Sequence, residues 1–170
     1  DRKGLVMLCS SFSKTLAPGY RVGWVAPGRW YAKVKTLKLT STLATATLPE
    51  LAIAEFLANG GYDYYLRSVR RTYAELTERM SAAIAASFPA DIKVTRPRGG
   101  FVLWIELPKN VDALTLDDMA LAERISIAPG PMFSATKGFR NFIRISCGHP
   151  WSPRIEEAIG ILGRLVRQLM

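Results

Sequence analysis

Two periodicities divide the chain. Short apolar runs bounded by turn residues lie at 5–10 (LVMLCS), 21–26 (RVGWVA), 92–95 (IKVT), 101–107 (FVLWIEL), 125–128 (ISIA) and 142–146 (FIRIS), and each predicts a strand. The first two predict short buried strands joined by a polar loop that contains Pro18 and Gly19. Apolar residues three and four positions apart predict helices elsewhere. Trp30, Val34 and Leu37 mark one over Arg29–Leu39, and Leu51, Ile53, Ala54 and Leu57 mark a second that ends at Asn59-Gly60-Gly61. The longest pattern runs from Tyr62 to Phe88, with Leu66, Val69, Tyr73, Leu76, Met80 and Ile84 on one stripe and Arg71, Glu75 and Arg79 spaced for i,i+4 ion pairs. Leu114–Glu123 reads as a further helix, and Ser152 followed by Pro153 caps a terminal one with Ile155, Ile159, Leu162, Leu165 and Val166 inward. The hydroxyl-rich stretch from Thr40 to Leu48 predicts a loop or a helix start, and Pro49 suits the first turn of the helix that follows. The class is therefore α/β or α+β. Residues 1–48 read as the edge of one unit and 49–170 as a complete smaller α+β domain.

Composition narrows this little further. With 170 residues, 49% hydrophobic and 22% charged, the chain has enough apolar material for a sizeable core, and no run approaches the ~18 apolar residues of a membrane span. Twenty-three Lys and Arg against 14 Asp and Glu give a net charge of +9. That charge suits a polyanion, a phosphorylated ligand or acidic partners, but the basic residues are interleaved with apolar ones at helical spacing, as on a solvated surface. Cys9 and Cys147 form no CxxC motif and His149 is the only histidine, so neither a disulfide framework nor a metal site is expected, and a reducing cytoplasm fits. The opening Asp-Arg-Lys-Gly, without an initiator Met or an apolar leader, reads as the middle of a longer chain.

Three segments carry candidate chemistry. Ser11, Ser13, Lys14 and Arg21 crowd one inter-strand loop. There a desolvated lysine amine could attack a carbonyl to form a Schiff base, while two hydroxyls and a guanidinium could hold a phosphate dianion. The plain alternative is a solvated loop lysine and a surface arginine. Arg144 alternates with Phe142 and Ser146, opposite in parity to Ile143 and Ile145. It either grips a carboxylate through paired hydrogen bonds or faces water. Gly99-Gly100 admits close backbone approach or serves as turn chemistry, and the same choice stands for Pro129-Gly130-Pro131 with Met132, Phe133 and Ser134. His149, between Gly148 and Pro150, has no carboxylate placed by sequence to orient it.

Read together, these segments resemble one family. SSFSKTLAPGYRVGW is similar to the cofactor-lysine segment of fold-type I pyridoxal-phosphate enzymes, the aspartate aminotransferase superfamily. RPRGGFVLWIELP resembles the substrate-side glycine segment of their small domain, ISIAPGPMFS the loop after it, and NFIRIS the strand bearing a carboxylate-binding arginine. Within the superfamily, RVGWVAPGRW, TLATATLPELAIAEFL, GGYDYYLRSVRRTY and ISCGHPWSPRIEEAI look most like the aminotransferase-like domain of MocR-type regulators of the GntR family. Free-standing class I/II aminotransferases of the 2-aminoadipate type share the SFSKTLAPG segment.

The resemblance implies pyridoxal 5'-phosphate held as a Schiff base on Lys14, with Ser11, Ser13 and Arg21 on its phosphate. It implies that Arg144 binds the α-carboxylate of an amino acid and that Gly99 and Gly100 let the small domain close over the substrate. Residues 1–48 would belong to the cofactor-binding large domain and 49–170 to the small domain. The fold implied is the C-terminal portion of the fold-type I transferase. The function implied is effector sensing and dimerisation in a transcription regulator, with an amino acid or amine as effector and DNA bound through a winged-helix domain N-terminal to this segment. A class I/II aminotransferase acting on amino acids and 2-oxo acids is the alternative. The aspartate that protonates the pyridine nitrogen, the tyrosine near the ring hydroxyl and the helix N-terminus that takes most phosphate contacts would lie upstream. Without them this segment alone is expected to be inactive, and its apolar strands at 5–10 and 21–26 are expected to be exposed.

Overall fold

A computed structural model describes residues 1–170, which form two compact units, Asp1–Ser68 and Val69–Met170. In the first unit, β1 (Leu8–Ser11) and β2 (Gly23–Ala26) pair antiparallel with Ser11 opposite Gly23 and Leu8 opposite Ala26. The loop between them closes through Phe12 N–H to Val22 O (3.0 Å) and through Leu16 and Ala17 N–H to Phe12 O (2.8 and 3.0 Å). Gly23 is required there, since a Cβ would stand 2.8 Å from the Ser10 carbonyl oxygen. Every residue of both strands is exposed, as expected for this segment taken alone, because a two-stranded ribbon offers no second layer to cover either face.

Helix α1 (Tyr31–Thr42) runs further into the hydroxyl-rich stretch than its composition suggests. The Thr36, Thr40 and Thr42 hydroxyls donate to carbonyls four residues back, which satisfies them within the helix. Helix α2 (Thr47–Ala58) follows, with Pro49 in its first turn as expected, and only Ile53 is buried.

Helix α3 (Gly61–Ser87) spans the division between the units. Met80 and Ile84 of the expected stripe are buried, and Leu66, Val69, Tyr73 and Leu76 are half-buried. The expected i,i+4 ion pairs do not form. Both ion pairs of the structure lie elsewhere, and the Arg79 guanidinium sits 4.7 Å over the Trp151 ring instead, an apolar and cationic contact that a helical carboxylate does not offer.

The second unit is built on an antiparallel sheet of order β3 (Lys93–Val94), β4 (Val102–Glu106), β6 (Phe142–Ser146), β5 (Ala128–Pro129). Alternation along β4 and β6 puts Leu103, Ile105, Ile143 and Ile145 on one face. There they form a core with Met80 and Ile84 of α3, Leu116 of α4 (Ala113–Ala122), and Ile159, Leu162 and Val166 of α5 (Pro153–Gln168). Each such fully buried Leu or Ile contributes about 1.5–3 kcal/mol relative to exposure. Strand β5 is shorter than the predicted ISIA run: Arg124 takes a left-handed conformation (φ 60°) at the end of α4, and pairing begins only at Ala128. The terminal helix follows its predicted cap, with Ser152 Oγ accepting from Ile155 N–H at 3.4 Å. Gly163 lets α5 approach the end of α3, since a Cβ there would collide with the Ser87 carbonyl.

Candidate functional site

The loop between β1 and β2 gathers the first candidate group. Ser11 ends β1, and its Oγ accepts from Ser13 N–H at 3.0 Å, which folds the backbone into a tight turn. A 3₁₀ turn over Pro18–Tyr20 ends on Arg21 in a left-handed conformation (φ 54°, ψ 33°). That conformation swings the guanidinium back over the loop. Arg21 Nη1 donates to Ser13 Oγ (3.2 Å) and to Pro18 O (3.3 Å), while Nε and Nη2 donate to no protein acceptor. Tyr62 fixes the loop from the start of α3 by donating its hydroxyl to Thr15 Oγ1 (3.0 Å) and setting its ring edge-on to Phe12 at 5.9 Å. Lys14 lies in the same turn, exposed and with neither an ion pair nor a hydrogen bond. The desolvation considered for it is not supplied by the residues around it here.

Two hydroxyls and a guanidinium with spare donors, beside a free amine, form a set rich in donors and without a carboxylate. Such a set fits a phosphate dianion on a carbonyl-bearing ligand, and it fits pyridoxal phosphate.

The second candidate group stands in the other unit on the open face of the sheet. Arg144 is opposite Trp104 on β4 and Ala128 on β5, and its neighbours Ile143 and Ile145 point into the core. Its guanidinium rests 4.4 Å from the centre of the Phe133 ring and takes part in no ion pair or hydrogen bond within the chain. An aromatic face holds a cation without consuming its N–H donors, so the fork stays available to a carboxylate. Phe133 is itself held edge-on to Trp104 at 5.6 Å, and Phe142 stacks on the same indole at 5.5 Å. Pro129-Gly130-Pro131 delivers Phe133 through a 3₁₀ turn over Gly130–Phe133, and Gly130 admits no Cβ against Phe139 O and Phe142 O. Sequence reasoning flagged this loop but missed the support that Phe133 and Trp104 give Arg144. The signal was available for Trp104, since alternation places it on the same face as Phe142 and Arg144.

Gly99 and Gly100 lie exposed in the turn before β4, and only Gly100, at φ +82°, needs the conformational freedom of glycine. His149 is exposed, and no group of three metal-ligating side chains exists in the structure. Cys9 and Cys147 are both free, and burial pushes the Cys147 thiol above its ordinary pKa.

The chain is 42% identical over 168 residues to the HTH-type transcriptional regulator YdcR of Escherichia coli, covering 99% of this chain and 36% of that protein. It is 35% identical to the 2-aminoadipate transaminase of Thermus thermophilus, covering 97% of this chain and 42% of the enzyme. Among solved structures, α-aminoadipate aminotransferase LysN from Thermus thermophilus, complexed with N-(5'-phosphopyridoxyl)-L-leucine, superposes with a TM-score of 0.88 at 34% identity, over 96% of this chain and 42% of that one. The chain thus spans roughly two-fifths of the length of the relatives it matches, and its fold is that of the fold-type I aminotransferases. The family model described as aminotransferase class I and II matches residues 1–162, and the chain belongs to that family.

Proposed function

We propose that this chain is part of the pyridoxal-phosphate domain of a MocR-type regulator of the GntR family, where it senses an amino acid or amine and contributes to a homodimer. The observation that supports the cofactor half of this reading is the hydrogen-bonded grouping of Ser11, Ser13 and Arg21 in the loop that also carries the exposed Lys14. The regulatory half is supported by higher identity to an HTH-type regulator (42%) than to a transaminase (35%). In the whole protein, residues 1–48 belong to the cofactor-binding large domain and 49–170 to the small domain, and DNA is bound by a winged-helix domain outside this segment.

The residues divide the work. Arg21 and Ser13 bind the cofactor phosphate, with Ser11 fixing Ser13 in place. Lys14 Nζ is the one amine in the loop able to attach to an aldehyde carbon and to hold or release a proton there. Arg144 binds the ligand carboxylate, with Phe133 holding its guanidinium plane. Gly99 and Gly100 admit close approach of backbone to ligand. When bound, pyridoxal phosphate supplies an electron sink for negative charge developing at the Cα of an amino acid.

Lys14→Ala in the whole protein is expected to abolish the cofactor's visible absorption. Retention of that absorption would overturn the assignment. Arg144→Gln is expected to weaken amino-acid binding about tenfold or more while leaving the absorption intact, the loss appropriate to charge-assisted hydrogen bonds. A transaminase of the 2-aminoadipate type is the second reading, favoured by the match to the Thermus enzyme. Rapid amino transfer to a 2-oxo acid by the whole protein, without ligand-dependent DNA binding, would decide for it.

A further inference from the structure

The positive charge of the chain is not absorbed by its own ion pairs, of which there are two, Lys93–Glu106 and Arg140–Asp112. Three of the remaining arginines line one concavity. A cavity of about 660 Å³ in the second unit is walled by a stripe of α3, including Arg70, Tyr73, Thr77 and Glu78, and by the β3–β4 loop, including Arg96 and Arg98. Positions 70, 73, 77 and 78 recur at helical spacing, so they share one face of α3. Glu78 is the only carboxylate in the lining, and it is not ion-paired with any of the three guanidinium groups.

The loop adds donors rather than acceptors. The backbone N–H groups of Arg98, Gly99 and Gly100 find no acceptor in the protein, and a Cβ at either glycine would meet open space. The wall behind them is firm. Phe101, next in the chain, lies 4.8 Å from Tyr73, ring centre to ring centre, which ties the loop to α3. Arg144 is not in this lining. It stands on the face of the sheet opposite the core residues that pack against Met80 and Ile84 of α3.

We propose that this cleft binds a metabolite-sized polyanion, carrying phosphate or at least two carboxylates. Its volume falls in the range of small-molecule sites, and a lining with three arginines and one carboxylate has anionic oxygens as its complement. The site uses neither Lys14 nor Arg144 but shares Gly99 and Gly100 with the amino-acid site proposed above.

Calorimetric titration of the whole cofactor-loaded protein with pyrophosphate and, separately, citrate at fixed ionic strength tests it. One-to-one binding of at least one probe is expected, weakened about tenfold or more by Arg70→Gln and by Arg98→Gln, but unchanged by Arg164→Gln, which removes an exposed charge on α5. Ala74→Trp fills the cleft at constant charge and is expected to abolish binding while the circular-dichroism spectrum stays helical. Stronger binding of pyrophosphate assigns a phosphorylated ligand, and stronger binding of citrate assigns a polycarboxylate. No binding of either probe, equal weakening by Arg164→Gln, or full binding by a folded Ala74→Trp variant would overturn the site.

Discussion

The two units are made of similar apolar material and use it in opposite ways. Asp1–Ser68 buries only Val22 and Ile53 among its hydrophobic residues, and leaves Leu43 and Leu48 at 75% and 81% exposure. Val69–Met170 buries seventeen hydrophobic residues in one cluster, with Leu103, Ile105 and Ile143 fully inaccessible. The difference is one of layering. A four-stranded sheet with helices on one face closes a core, whereas the two-stranded ribbon and short helices of the first unit leave their apolar sides uncovered in this segment, which spans about two-fifths of its relatives' length. Both candidate sites nevertheless rest on local geometry. The Lys14 loop is fixed by its own hydrogen bonds and by Tyr62, while the Arg144 face depends on the sheet beneath it.

The largest expected consequence is in hydrogen exchange. Amides of β4 and β6 should exchange only through global opening, and those of β1 and β2 through local opening at little cost. A difference of roughly a thousandfold or more in protection is therefore expected in the 170-residue chain. Equal protection of 1–48 and 92–146 would erase the contrast between the units.

Point substitutions sharpen it next. Ile105→Ala should cost about 2–5 kcal/mol in urea unfolding, because a fully enclosed side chain leaves a cavity among Leu103, Ile143 and their helical partners. Leu43→Ala, at an exposed position, should stay within about 0.5 kcal/mol of the parent. Comparable losses from both would show that the first unit shares the core of the second.

How much of this was legible follows from the range of the interactions concerned. The Ser152-Pro153 cap, the stripe of α3 and the alternation in β4 and β6 are local patterns, and the sequence displays them directly. So is the grouping of Ser11, Ser13 and Arg21, all within one loop. The apolar runs LVMLCS and RVGWVA record what a strand can bury, and their exposure in this segment alone follows from the absence of a second layer over the ribbon. The Phe133–Arg144 contact and the Arg70–Arg98 cleft join residues distant in sequence through turns and packing, and no local spacing reports them. The failed helix pairs on α3 have the same origin, since Arg79 is drawn to Trp151 on a distant segment.

The smallest effect tests how finely the second unit is tuned. Asp112 caps α4 by accepting from Leu114 N–H (2.9 Å) and Thr115 N–H (3.3 Å), and it also pairs with Arg140. Burial works to raise its pKa, but Arg140 and the two capping N–H groups outweigh it, and the carboxyl is held below its ordinary 3.8. A depressed acid stabilises the fold fully above the unfolded value, and that contribution disappears as pH falls through the lower folded value. Asp112→Ala should cost about 1 kcal/mol at neutral pH, the usual loss of an N-cap. Asp112→Asn keeps a capping oxygen and loses the charge, so its deficit should be smaller and should shrink as the medium is acidified below 3.8. Urea midpoints of the parent and the Asn variant measured above and below that pH decide the matter. A deficit constant across the titration would mean that the charge of Asp112 contributes nothing at the start of α4, to Arg140 or to the capping N–H groups.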